Sequence, residues 1–227
     1  MDGNTIHPNL IQQTVFHVRD PISALTHFIA FLAAILATPV LLVHAAWQRA
    51  DLATLISLGI FTVSMVLLYG ASTAYHTFSL TDRGNRVLKK LDHTMIFLLI
   101  AGSYTPVCVV TLRGMTGFHL LMLVWSFAAA GVIFKLCWVT CPKWVSSVIY
   151  IAMGWSCLTA MPEIIATLDK WGFFWLLLGG IFYTVGGVVY ALKPKRLEGK
   201  FFGIHEIFHL FVMAGSVCHY VFMYGFL

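Results

Sequence analysis

Three histidines in this sequence are spaced so that they could hold one metal ion. His205 and His209 are four residues apart, so on a helix their imidazoles lie on one face, one turn apart. His76 follows Ser72 by the same interval in the string S-T-A-Y-H. Three neutral imidazoles with one open position form a common catalytic zinc site, in which the metal activates a water molecule. The residues alone leave a metal site and a structural role equally open.

Other polar residues stand close to the same helix ends. Asp92 and His93 occur in the string L-D-H, and His27 lies near the start of the first apolar stretch. Ionisable groups inside lipid are costly, so each is a functional candidate. Asp92 is the candidate that would orient a water molecule or accept its proton, and Ser72 would hydrogen-bond a ligand or the substrate. The pattern favours a structural or supporting role for His27 and His93.

The remaining histidines and cysteines indicate no second site. His219 lies two to three helical turns deeper than His205, so it is too distant to share one metal, although it could line a cavity. Cys137 and Cys141 flank a short loop, but no histidine or second cysteine pair lies nearby. Structural zinc sites need four such ligands at suitable spacing. We therefore interpret the five cysteines as structural.

The string His205-Glu206-Ile207-Phe208-His209 matches the H-E-x-x-H motif, in which the glutamate is the general base of a zinc protease. An intramembrane metalloprotease is therefore a competing hypothesis. Two observations weaken it. The motif is short enough to occur by chance, and no apolar segment follows this one to supply the third ligand.

Composition shows that lipid is the natural solvent of this chain. Of the 227 residues, 59% are hydrophobic and 10% are charged, whereas soluble domains have about 25% charged residues. A bilayer core about 30 Å thick requires about 20 apolar residues in a helix. We predict an all-α seven-transmembrane-helix bundle as one domain over 21–227, preceded by a short tail at 1–20. The predicted spans are 22–46, 53–77, 91–112, 117–138, 144–162, 172–192 and 203–225.

The basic residues predict how this bundle is oriented. The net charge of +5 comes from short connections between apolar segments, which argues against a nucleic-acid partner. Of the 14 lysines and arginines, all but Arg49, Arg113 and Lys170 fall on the side of the N-terminus. The positive-inside rule then places the N-terminus in the cytoplasm and the C-terminus outside. All the candidate site residues would share one depth at the cytoplasmic side.

Three motifs in this order resemble the hemolysin III family, the bacterial members of the progestin and AdipoQ receptor superfamily that includes the adiponectin receptors. They are S-x-x-x-H in the second span, L-D-H-T-M-I-F-L-L-I-A-G-S-Y-T-P in the third, and H-E-I-F-H-L-F-V-M-A-G-S-V-C-H-Y in the seventh. The resemblance covers 22–225. It implies zinc ligands at His76, His205 and His209, with functional roles for Asp92 and Ser72. The residue at Glu206 is not fixed in the family, which removes it as the catalytic base.

The resemblance also implies a function at the bacterial inner membrane. Related receptors resemble ceramidases, so we expect a zinc-dependent hydrolase of amide or ester bonds in membrane lipids, linked to lipid homeostasis. A membrane lipid would be its substrate or ligand. Two alternatives stay open: a non-enzymatic sensor of the membrane with structural zinc, and a cytolysin as the family name suggests. The sequence does not indicate the oligomeric state.

Overall fold

The computed structural model describes residues 18–199 and 202–227, and this part of the chain contains helices and turns but no strand. Most of the predicted tail at 1–20 lies outside the described residues. Seven helical segments here are long and apolar enough to cross a membrane, which confirms the predicted all-α, seven-span architecture. The orientation of the termini stays a prediction.

Eight α-helices and two helical turns make up the seven spans. The fifth span consists of α5, a 3-10 turn at Trp155–Ala160 and α6, and a π-helical turn at Val107–Thr111 extends the third. The helices are α1 (Pro21–Trp47), α2 (Leu52–Thr77), α3 (Asp82–Pro106), α4 (Met115–Cys137), α5 (Lys143–Gly154), α6 (Met161–Thr167), α7 (Lys170–Leu192) and α8 (Ile204–Phe226).

Two of the predicted boundaries are corrected by the structure. The third span begins at Asp82 rather than 91, because the Thr81 side chain caps the backbone of Gly84 and the charged segment that follows is already helical. The fifth span continues beyond 162 to Thr167. At its 3-10 turn the Tyr104 hydroxyl donates to the Gly154 carbonyl and accepts from the Cys157 backbone N–H, so the broken helix keeps its backbone groups paired.

The spans form a ring that positions the candidate site. Helix α1 packs between α2 and α8, α3 packs on α2, and α5 packs between α3 and α7, which returns to α8. Helix α4 lies outside this ring against α3 and the 3-10 turn of the fifth span. Because α2 ends and α1 and α8 begin at the same end of the bundle, their terminal residues meet there.

Glycines in α7 allow its neighbours to approach closely, as the cluster of four glycines in this segment predicts. A Cβ added at Gly186 would stand 2.7 Å from the Phe211 Cβ of α8, and one at Gly187 would stand 3.1 Å from Ile151 of α5. A Cβ at Gly179 would collide with the His219 ring. Gly180 is the exception, because it meets no atom within 4 Å and instead lines the central cavity.

We predict that Gly186→Ala destabilises the bundle, whereas Gly180→Ala does not. The methyl group at 186 would meet a Cβ fixed to the α8 backbone, so the two helices would have to separate. Overpacking of this kind costs about 1–3 kcal/mol of unfolding free energy. The midpoint of thermal unfolding in detergent measures the effect. Gly180→Ala is the matched control, because it makes the same change on the same helix in open space. Equal midpoints for the two variants would contradict this account of the packing.

Candidate metal centre

Three imidazoles converge at the end of the bundle where α2 stops and α8 starts. One nitrogen from each of His76, His205 and His209 lies within 4.8 Å of the others. The Nε2 atoms of His76 and His205 are 3.0 Å apart, and the His205 and His209 ring centroids are 4.4 Å apart. His76 and His209 are each 2% exposed. The i, i+4 spacing on α8 therefore brings its two rings to the His76 ring, as the sequence predicts.

Asp20 holds the outer nitrogen of His76, and sequence reasoning missed this residue. Its Oδ2 atom lies 2.9 Å from His76 Nδ1, and its backbone N–H donates to the His76 carbonyl at 2.9 Å. A carboxylate only accepts hydrogen bonds, so the proton of the neutral His76 ring resides on Nδ1. The lone pair of Nε2 then faces the other two histidines. A carboxylate behind a histidine is the usual support of a metal ligand.

Residues of α1 support His209 in a similar way. The Thr26 hydroxyl donates to the Ser23 carbonyl at 3.0 Å, so its oxygen is left to accept from His209 Nδ1 at 3.4 Å. The His27 ring stacks on the His209 ring, with centroids 3.5 Å apart and planes 11° apart. His27 therefore has a supporting place beside the cluster, as its position in the sequence suggests.

The donor set fits a metal ion that prefers imidazole. Bonds of 2.0–2.1 Å to a tetrahedral zinc hold two nitrogens about 3.3 Å apart, so the His76–His205 pair is already near that spacing. His205 Nδ1 is buried without a hydrogen-bond partner among the described residues, which leaves the ring held only through its Nε2 side. Three converging imidazoles, two of them with an acceptor beside Nδ1, could hold a metal ion, and zinc as its identity stays a prediction.

Asp92 and Ser72 lie on the wall of a cavity of about 410 Å³ that the three histidines also line. Asp92 is 7% exposed, and its Oδ2 atom is 3.2 Å from His93 Nδ1. The Ser72 hydroxyl is buried beside the Asp92 carboxylate. A carboxylate and a hydroxyl thus face the space beside the histidines, and their functional roles stay predictions.

Both carboxylate oxygens of Glu206 accept hydrogen bonds from other residues. Its Oε1 atom accepts from the Ser23 hydroxyl at 2.6 Å, and its Oε2 atom accepts from the Gly203 backbone N–H at 2.9 Å. It thereby caps its own helix and ties α8 to α1. These contacts favour a structural role over that of a protease base, in line with the sequence interpretation.

The structure also locates His219 and the five cysteines. His219 lines the deeper part of the cavity and packs against Tyr183, with ring centroids 5.3 Å apart. All five cysteines are free thiols. Asp20 could have been found in the sequence, because it precedes Pro21 at the predicted cytoplasmic start of the first span. Its distance of 56 positions from His76 hides the pairing until the helices are packed.

Comparison with known proteins identifies close relatives over almost the whole chain. A family model described as Haemolysin-III related matches residues 16–220. The chain is 38% identical to the Hemolysin-3 homolog of Bacillus subtilis (strain 168), over 89% of this chain and 92% of the relative. It is 36% identical to Hemolysin-3 of Bacillus cereus, over 91% of each. The Adiponectin receptor protein of Drosophila melanogaster is 27% identical, over 71% of this chain and 40% of that protein. No solved structure matches.

We predict that Asp20→Asn weakens zinc binding by about tenfold or more, because loss of a carboxylate behind a histidine ligand typically costs 10–100-fold. His209→Ala should remove the bound metal. Elemental analysis of purified protein gives the zinc content, and competition with a chelating dye gives the affinity.

Two substitutions at the opposite end of the bundle serve as controls for this measurement. Asp51→Asn alters a carboxylate that caps α2, and His119→Ala removes an exposed histidine of α4. Both should leave zinc binding unchanged. An unaltered zinc content in His209→Ala would refute the site.

Proposed function

This chain belongs to the haemolysin-III related family, and from that premise we propose that it is a zinc-dependent hydrolase of amide or ester bonds in membrane lipids. One observation carries the proposal. Three imidazoles, a buried carboxylate and a buried hydroxyl face one cavity inside a membrane-spanning bundle. Binding a metal would explain the imidazoles alone, whereas catalysis also explains why Asp92 and Ser72 are buried beside them.

His76, His205 and His209 would hold the metal. When bound, zinc supplies Lewis-acid chemistry that makes a water molecule nucleophilic near neutral pH. The Asp92 carboxylate would orient that water molecule and accept its proton. The Ser72 hydroxyl, which lies beside the Asp92 carboxylate, would donate a hydrogen bond to the substrate carbonyl. Asp20 and Thr26 would keep the Nδ1 protons of two of the imidazoles in place.

The cavity suits a lipid chain. Its volume of about 410 Å³ lies within the range of pockets that enclose small ligands. Away from the histidines, apolar side chains from three spans dominate its wall, so an acyl chain would be buried there without unpaired polar groups. These side chains are Leu99, Ile100, Val107, Ile164 and Leu176. Ceramide, a candidate substrate that the family resemblance implies, carries one such acyl chain attached through an amide.

A non-enzymatic membrane sensor with a structural metal is the main alternative, and the adiponectin receptor among the relatives gives it a precedent in name. The same three histidines would bind the metal of such a sensor, but a sensor would not require the Asp92 carboxylate. The name Hemolysin-3 of the Bacillus relatives suggests membrane lysis as another candidate. Release of a trapped dye from vesicles by the purified protein would support lysis.

We predict that Asp92→Asn lowers lipid hydrolysis by about 10²–10⁴-fold, the usual contribution of a general base, while zinc stays bound. Mass spectrometry of products from a panel of ceramides, phospholipids and acylglycerols measures the activity, and elemental analysis measures the metal. Asp51→Asn, at the far end of the bundle, is the control and should retain activity. A folded, zinc-containing wild-type protein that hydrolyses nothing in this panel would contradict the proposal and favour the sensor.

Removal of the metal provides an independent test of the same proposal. A chelator should abolish hydrolysis, and added zinc should restore it, because the water molecule would otherwise keep its ordinary low reactivity. His119→Ala should respond in the same way as the wild type. Activity that persists after complete zinc removal would exclude a zinc mechanism.

A further inference from the structure

Two lysines that form no salt bridge within the described residues line the same cavity as the histidines. They are Lys89 of α3 and Lys143 of α5. Lys143 lies within electrostatic range of Lys89 and of Lys193 at the end of α7, and both repel it. Glu206 is the acidic group that attracts Lys143, but its two oxygens are engaged by Ser23 and Gly203.

A third lysine stands behind the same wall. Lys135 of α4 is 1% exposed, and its Nζ atom donates to Ser146 Oγ at 2.5 Å and to Cys141 Sγ at 3.1 Å. Ser146 and Cys141 line the cavity. No carboxylate pairs with this buried ammonium among the described residues. A buried charge without a counter-charge is costly, so an anion in the adjoining space would stabilise it.

The positive-inside rule does not explain why these lysines lie near one cavity. The positive-inside rule requires basic residues on one side of the membrane, wherever they point. Arg83, Arg86 and Lys90 meet that requirement without lining the cavity. By contrast, Lys89 and Lys143 line the cavity from two different helices, and Lys135 of a third helix lies behind Ser146 and Cys141, which line it as well. Packing like charges close together is unfavourable, and a bound anion would relieve that repulsion.

We propose that Lys89, Lys143 and Ser146, here called the basic wall, bind the phosphate group of an anionic lipid, while Lys135 acts from behind through its hydrogen bond to Ser146. The inference refines the proposed function by naming the substrate class, because the basic wall and the histidines line the same cavity. Lys143 Nζ and the His205 ring lie 4.3 Å and 5.7 Å from the centroid of the same Tyr190 ring, which places the two sites side by side. The phosphate would sit on the basic wall, the acyl chain in the apolar depth, and the bond between them near Asp92.

The experiment measures lipid binding rather than turnover. Wild-type protein in neutral detergent, with metal removed by a chelator, is titrated with dihexanoyl phosphatidic acid or dihexanoylglycerol and followed by native mass spectrometry. Inorganic phosphate is added as a competitor. The test variant is Lys89→Gln with Lys143→Gln, because both side chains are at least partly exposed. Lys143 also lies over the Tyr190 ring, 4.3 Å from its centroid, so the thermal unfolding midpoint of the variant is compared with that of the wild type. The control is Lys90→Gln with Lys170→Gln, which removes the same charge away from the cavity.

The proposal expects tighter binding of the phosphatidic acid than of dihexanoylglycerol. The test variant should bind phosphatidic acid about tenfold to thirtyfold more weakly, since each lysine near an anionic group contributes about 1 kcal/mol. The control should bind it as the wild type does. Competition by millimolar phosphate would confirm that the phosphate group is what is recognised. If phosphate alone bound as tightly as the lipid, the basic wall would be a site for free phosphate.

Two results would overturn the proposal. One is equal affinity of the wild type for the phosphatidic acid and dihexanoylglycerol. The other is equal loss of affinity in the test and control variants, which would reduce the lysines to general surface charge. Because neither turnover nor metal is needed, this outcome is separate from the fate of the hydrolase. Binding without hydrolysis would leave the basic wall standing and remove the proposed reaction.

Discussion

Lipid offers no hydrogen-bond partners, and the arrangement of polar groups in this protein follows from that constraint. Hydroxyls within the spans bond to their own helix, as Ser64 does to the Phe61 carbonyl and Thr105 to the Ala101 carbonyl. A carboxylate has no proton to donate to such a carbonyl. A buried carboxylate, Asp92, and four imidazoles, those of His27, His76, His205 and His209, line the cavity at one end of the bundle, and His219 lines it deeper. A site that contacts α1, α2, α3 and α8 is the result.

The first two turns of α1 organise this site more than any other segment. Asp20 reaches His76 of α2, Ser23 reaches Glu206 of α8, and Thr26 reaches His209. His27 stacks on the same His209 ring. Positions three to four apart share one helical face, so this one face of α1 joins the end of α2 to the start of α8. The helix contributes none of the three candidate metal ligands, yet it fixes the orientation of two.

Sequence patterns predicted the parts of the structure that depend on local composition. Apolar length identified seven spans, and the four-residue spacing identified His205 with His209. What they missed depends on tertiary packing or on charge within a helix. Hydropathy placed the start of the third span too late because charged residues from Asp82 are helical as well. Asp20 pairs with His76 of α2, and the buried Lys135 pairs with Cys141 of the following loop and Ser146 of α5. Neither partner is visible in local spacing.

The depth of the site bears on which bond it would act upon. His76 is the penultimate residue of α2, and His205 is the second residue of α8, so the cluster lies where the spans enter the headgroup region rather than at the bilayer centre. The amide and ester linkages of lipids lie in that same interfacial layer, whereas their acyl chains occupy the core. The cavity extends from the histidines toward Val107 and Ile164 near the opposite helix ends. A lipid that entered with its chain along this path would present its linkage, and not its tail, to the three imidazoles.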